Sequence, residues 1–142
     1  MSAAPTQEHN KSIVIRAIDE IWNKGNLAAV DELYDANCVR HDPSAPELAT
    51  GPENLKQLAA LYRTAFPDLR ITIEDIIVEG DKVVTRWSSK GTHKGELQGI
   101  APTGKVVTSS GISIALIANG KIVEERVSWD NFGLMKQLGA VE

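Results

Sequence analysis

The dipeptide Asn119-Gly120 stands between two long runs rich in β-branched residues, Val106 to Ala118 and Lys121 to Asp130. Both turn residues tolerate positive φ, so the pair fits the twist of adjoining strands and predicts a β-hairpin. Glu79-Gly80-Asp81 predicts another, between Leu69 to Val78 and Lys82 to Ser89. Ahead of these strands the apolar period is helical. Val14, Ala17, Ile18, Ile21 and Trp22 predict a helix from His9 or Asn10 to Asn23, with Gly25 at its C-cap. A second helix is expected over Leu27 to Tyr34, and a short strand over Cys38 to His41, ended by the turn pair Asp42-Pro43. Pro43 to Gly51 reads as loop. A third helix opens at Pro52, carries Leu55, Ala59, Tyr62 and Phe66 on one stripe, and stops at Pro67. A last short helix spans Gly133 to Leu138.

Helices first and a strand meander afterwards make an α+β chain, not the βαβ alternation of a parallel sheet. One sheet can bury three helical stripes only by curling round them. The expectation is therefore a curved antiparallel β-sheet wrapped around N-terminal helices, leaving a conical pocket suited to a small apolar ligand. Residues 1–8 read as a flexible end and 9–142 as a single domain.

Composition narrows the function classes. The net charge of −4 and the lack of any Lys/Arg run argue against nucleic acid or an anionic membrane as partner. No stretch approaches the roughly 18 apolar residues of a membrane helix, and Met1 to Ser12 lacks a signal-peptide core, which predicts a cytoplasmic protein. The single cysteine, Cys38, excludes an internal disulfide. His9, His41 and His93 share no ligand spacing, so no metal is expected. Gly104-Lys105 is followed by Val106 where a phosphate loop needs Ser or Thr, and the serine pairs lack the glycines of a nucleophile elbow.

What remains is a carboxylate at a strand end. On the last strand Ile122, Glu124, Arg126, Ser128 and Asp130 share one face, and Val123, Glu125, Val127 and Trp129 the other. Neither face is wholly polar, which predicts an inner surface turned to a cavity. Asp130 is either the N-cap of the final helix or a proton acceptor.

The stretch from Trp87 to Lys105, with Gly91-Thr92-His93 and Gly99-Ile100-Ala101-Pro102-Thr103-Gly104 within it, resembles the central signature of the SnoaL-like polyketide cyclases. So do His41-Asp42-Pro43, Phe66-Pro67-Asp68-Leu69, Asn119 to Glu124, and Gln137-Leu138-Gly139, in the right order from about Asn10 to Gly139. The resemblance implies the nuclear transport factor 2-like superfamily and its cystatin-like α+β barrel. It implies Asp130 as general base for an intramolecular aldol closure, with no cofactor and no metal. His93 would assist, and His41, Arg86, Trp22, Tyr62, Phe66 and Arg126 are candidates to meet the substrate. His93 could equally anchor its loop, His41 tie its strand to the Pro43 loop, Arg86 pair with Glu124, and Trp22, Tyr62 and Phe66 serve the core. Two departures stand out. Arg126 occupies a position that is aromatic in many relatives, and Ile112 to Ala118 offers only Ser113 where some cyclases carry a histidine. Arg126 with Asp130 would supply two members of the Asp–Arg–Asp group of superfamily epoxide hydrolases, the second reading. A non-catalytic binding or dimerisation domain is the third, and a homodimer through the outer sheet face is expected in each.

Overall fold

The computed structural model describes residues 3–46 and 50–141. The middle of the expected Pro43 to Gly51 loop and the first residues of the expected N-terminal end lie outside them. Helix α1 (Ala3–Arg16) begins ahead of the predicted start, with Pro5 in the first turn, where its missing N–H has no helical partner to lose. It runs directly into a π-helical segment, Ala17–Asn23, closed by the Lys24 N–H bonding back to the Asp19 carbonyl. The wider turn buries Ile21 completely and leaves Ile18 and Trp22 half-buried on the sheet side. After α2 (Ala29–Leu33) the chain becomes extended at once. Tyr34 is the first residue of β1 (Tyr34–His41), a strand longer than predicted. Helix α3 (Pro52–Ala65) starts at its proline as expected.

The strands β2 (Arg70–Glu79), β3 (Lys82–Thr92), β4 (Val106–Ala118) and β5 (Lys121–Trp129) form an antiparallel meander. Asn119 and Gly120 turn the β4–β5 hairpin at φ 52° and 76°. The sheet order is β1-β5-β4-β3-β2, with β1 parallel to β5, so the curved sheet is not a closed barrel. Helix α4 (Asn131–Gln137) ends the fold.

Two apolar clusters fill the concave side. One joins Ile13, Val14 and Ile21 to Val30, Leu33, Leu55, Val83, Ile117 and Ile122. The other gathers Phe66, Leu97, Val107, Leu134 and Leu138. A register shift near Val123 turns both Ile122 and Glu125 inward, although they are an odd number of positions apart. Among the described residues, no helix is long and apolar enough to cross a membrane.

Candidate active site

A cavity bridges the two clusters. Ile18 and Trp22 reach it from the π-helical segment, Leu58 and Tyr62 from α3, Phe66 from just past its end, and Trp87, Val107, Val127 and Trp129 from the sheet. The cavity volume is about 120 Å³, room for roughly four waters at about 30 Å³ each. Gly111 shapes the far wall. It lies opposite Trp87 on β3 and Trp129 on β5, and a Cβ there would fall 2.6 Å from each side chain.

At one end this apolar wall carries three charges. Arg40 on β1 and Glu125 on β5 are register partners, and Asp42 follows as β1 ends. Their side chains are only 15%, 14% and 6% exposed. The Arg40 guanidinium lies 5.6 Å over the Trp22 ring. Its Nη1 is 3.8 Å from Asp42 Oδ2 and its Nε 4.0 Å from Glu125 Oε1, too far for hydrogen bonds. Arg40 Nε and Nη1 are buried with no hydrogen-bond partner among the described residues.

Both carboxylates are held from behind. Asp42 Oδ1 accepts from the Ser44 N–H at 3.0 Å and the Ser44 hydroxyl at 2.6 Å, and that hydroxyl accepts from the Trp129 indole N–H at 3.0 Å. Oδ2, 3.8 Å from Arg40 Nη1, accepts no hydrogen bond among the described residues. Glu125 Oε1 accepts from the Tyr34 hydroxyl at 2.7 Å. Burial, then the Glu125 charge and this hydrogen bond, holds the Tyr34 phenol well above its ordinary range. The Tyr62 phenol is pushed up to about 12, chiefly by burial and next by the Asp42 charge, with Arg40 opposing. Tyr62 is thus a neutral donor at physiological pH, close enough to Asp42 to feel it.

The sequence-predicted residues divide. Trp22, Tyr62 and Phe66, for which a core role was the other reading, line the cavity. Asp130 does not. It is exposed, its Oδ1 accepts the Gly133 N–H at 2.8 Å as the N-cap of α4, and it borders an adjoining polar hollow with Arg70, Ser88 and Lys90. Geometry explains the displacement: β5 ends at Trp129, whose side chain takes the inward position, so Asp130 turns into the helix start. His93 is fully buried outside the cavity lining. Its Nδ1 accepts the Thr103 N–H and bonds the Thr103 hydroxyl, and its ring packs 5.5 Å from Phe66, pinning the 93–105 connection. His41 meets Glu124 at 3.1 Å, and Arg126 lies 3.7 Å from the same carboxylate, all at least a third exposed. Arg86 pairs with Asp75, not Glu124, at 2.8 Å on the exposed side of the sheet. None of these three lines the cavity.

Arg40, Asp42 and Glu125 went unpredicted as site residues. Their one signal was a lone glutamate sharing a strand face with Val127 and Trp129, which marks a carboxylate placed among inward apolar groups.

The sequence profile of the SnoaL-like polyketide cyclases matches residues 12–138. The chain is 28% identical over 121 residues to the nogalonic acid methyl ester cyclase of Streptomyces nogalater, covering 83% of this chain and 89% of that one. It is likewise 28% identical over 129 residues to the aklanonic acid methyl ester cyclase of Streptomyces galilaeus, 88% of each chain being covered. A solved structure assigned to the SnoaL-like polyketide cyclases, from Jannaschia sp. CCS1, superposes with a TM-score of 0.86 at 25% identity, over 100% of this chain and 99% of that one.

Proposed function

The chain belongs to the SnoaL-like polyketide cyclase family, and from that membership and the cavity we propose that it is a cofactor-free cyclase or isomerase of small apolar carbonyl compounds, with Asp42 taking the carbon-bound proton. The observation that carries this reading is a buried carboxylate facing an apolar cavity, one oxygen fixed by Ser44 and the other free of hydrogen bonds among the described residues. The base role expected of Asp130 passes to Asp42, because only Asp42 of the two faces the cavity.

The chemistry balances without an electron carrier. Oδ2 of Asp42 accepts a proton from a carbon next to a carbonyl, and the electron pair spreads onto the carbonyl oxygen. The Tyr62 hydroxyl donates to that oxygen as its charge develops. In a cyclisation the carbanion carbon then bonds to a second carbonyl carbon of the same molecule, whose oxygen takes up a proton from Asp42 or Tyr62. In an isomerisation the proton returns from Asp42 to a different carbon. Trp22, Phe66, Trp87 and Trp129 would hold a flexible substrate folded, and that entropy is a large share of the barrier.

The test compares the wild type with Asp42→Asn and Asp130→Asn on a panel of β-keto esters and β,γ-unsaturated ketosteroids, following proton exchange and isomer formation by NMR. Loss of a general base lowers the rate by roughly 10²–10⁴-fold, so Asp42→Asn should fall by that much. Asp130→Asn keeps the helix cap and should stay within about twofold. Equal losses in both would return the base role to Asp130, and inertness of the wild type across the panel would leave the cavity a binding site.

The geometry also favours a hydrolytic second reading over the one drawn from Arg126 and Asp130. Asp42, Arg40 and Glu125 form a carboxylate–guanidinium–carboxylate group at the cavity end, spaced so that a water could lie between them. Incorporation of labelled solvent oxygen into product would favour it. A homodimer through the outer sheet face, where Ile77, Ile112 and Ile114 are exposed, belongs to the same proposal.

A further inference from the structure

We infer that Thr85 is a specificity-determining residue of the cavity, and that the group it selects is a ketone or aldehyde oxygen set against the sheet floor. This deepens the reading of the cavity as a site for small apolar carbonyl compounds and rests on it. Val83, Thr85 and Trp87 alternate inward along β3, and all three line the cavity. Thr85 is 1% exposed, and its Oγ1 is buried with no hydrogen-bond partner among the described residues. Valine has the same branched shape and suits a strand as well, and it would spare the fold a buried hydroxyl left unmet. The hydroxyl therefore gives the folded chain nothing, and an acceptor brought in by a ligand is what satisfies it.

Its neighbour has the same need. Ser113 is the register partner of Thr85 across β3 and β4 and lines the same cavity. Ser113 Oγ accepts the Trp87 indole N–H at 3.0 Å and makes no other hydrogen bond among the described residues, so its own proton is unspent. The two hydroxyls do not bond each other. Opposed strand positions hold their Cβ atoms roughly 5 Å apart, so one oxygen between them can accept from both. A carbonyl oxygen, with two lone pairs and no proton, fits that pair, whereas a hydrocarbon leaves both hydroxyls unmet. Thr85 and Ser113 stand one pleat, roughly 7 Å, from the row that carries Glu125 and one from the row of Trp87 and Trp129. They are thus a neutral polar step between the charged end of the cavity and its aromatic end.

The experiment titrates the full chain with acetophenone and with α-methylstyrene, in which a methylene group replaces the oxygen, and follows protein signals by NMR. Partition of the pair between water and cyclohexane gives the margin by which a cavity without a donor favours the hydrocarbon. The wild type is expected to cut that margin by about tenfold or more. A wild type that keeps the whole margin, or binds neither ligand, would overturn the assignment, and no variant is needed to see it. Thr85→Val should weaken acetophenone by about three- to tenfold, the worth of one neutral hydrogen bond, and leave α-methylstyrene within about twofold. Thr85→Ser keeps the hydroxyl and should hold the wild-type margin within about twofold. A Thr85→Val protein with an unchanged margin, or one weakened alike toward both ligands, would also overturn it. Deuterium uptake by the acetophenone methyl group, measured against buffer, tests proton abstraction separately. A margin that depends on Thr85 with no uptake above buffer would sink proton abstraction and leave Thr85 as the selecting residue. Uptake above buffer with a margin indifferent to Thr85 would do the reverse.

Discussion

Replacing Gly111 with alanine adds one methyl group between two of the side chains that line the cavity, Trp87 and Trp129. The new Cβ would lie 2.6 Å from Trp129 Cβ, 2.6 Å from Trp87 Cζ2 and 2.8 Å from the Ser128 carbonyl oxygen. Two of those atoms belong to backbone or the first side-chain carbon, so they move only with β5. The third belongs to a ring that cannot rotate freely, since the Trp87 indole N–H donates to Ser113 Oγ at 3.0 Å. Overpacking of this kind costs roughly 1–3 kcal/mol, and a displaced Trp87 would forfeit about 1 kcal/mol of hydrogen bonding. Against this, replacing a strand glycine recovers about 0.5–1 kcal/mol of chain entropy. The net expectation is a loss of about 1 to 3 kcal/mol, or roughly 3 to 10 °C in Tm for a domain of this size. Thermal melts by circular dichroism measure it, with near-ultraviolet dichroism reporting the two tryptophans. Ser110→Ala, next door and exposed, is the control and should stay within about 0.5 kcal/mol of wild type. A Gly111→Ala protein that melts within 1 °C of wild type with an unchanged near-ultraviolet spectrum would show that Trp87 and Trp129 do not close over this residue.

Tyr62 ties stability to alkaline pH. Its phenol titrates at about 12 against an ordinary 10.0, so the folded state favours the neutral form. That contribution is complete below pH 10 and is lost as the pH rises through 12. It amounts to about 2 to 3 kcal/mol. Urea midpoints should therefore fall between pH 10 and 12 in the wild type and fall less in Tyr62→Phe; parallel curves would refute the assignment. On the outer face, Ile112→Lys combined with Ile114→Lys should convert a dimer to a monomer in sedimentation with little change in Tm, and a wild type that sediments as a monomer would remove the dimer.

Much of the fold was legible because its signals are local. Asn119-Gly120 specifies its own turn through two positive φ angles, Pro52 opens α3, and the stripe of Leu55, Ala59, Tyr62 and Phe66 marks the side of α3 that packs inward. Helical spacing turned Trp22, Tyr62 and Phe66 inward, but it did not separate a place in the core from a place on the cavity wall. Strand alternation failed at Val123, where a register shift resets the period and turns Ile122 and Glu125 to the same side. It held through Glu125, Val127 and Trp129, which all line the cavity, and it set Asp130 on the other face, where it caps α4; the base role of Asp130 came from the resemblance alone.

The amino-acid order alone determined an α+β fold, a curved sheet over helices, and a hollow between them, since turn chemistry and apolar period act between near neighbours. The charged end of that hollow came from tertiary structure. Tyr34 and Glu125 are 91 positions apart and meet only because β1 pairs in parallel with β5. Such pairing leaves no mark in a local pattern. It joins β1 to the β5 edge of the meander, and that same pairing sets Arg40 beside Glu125.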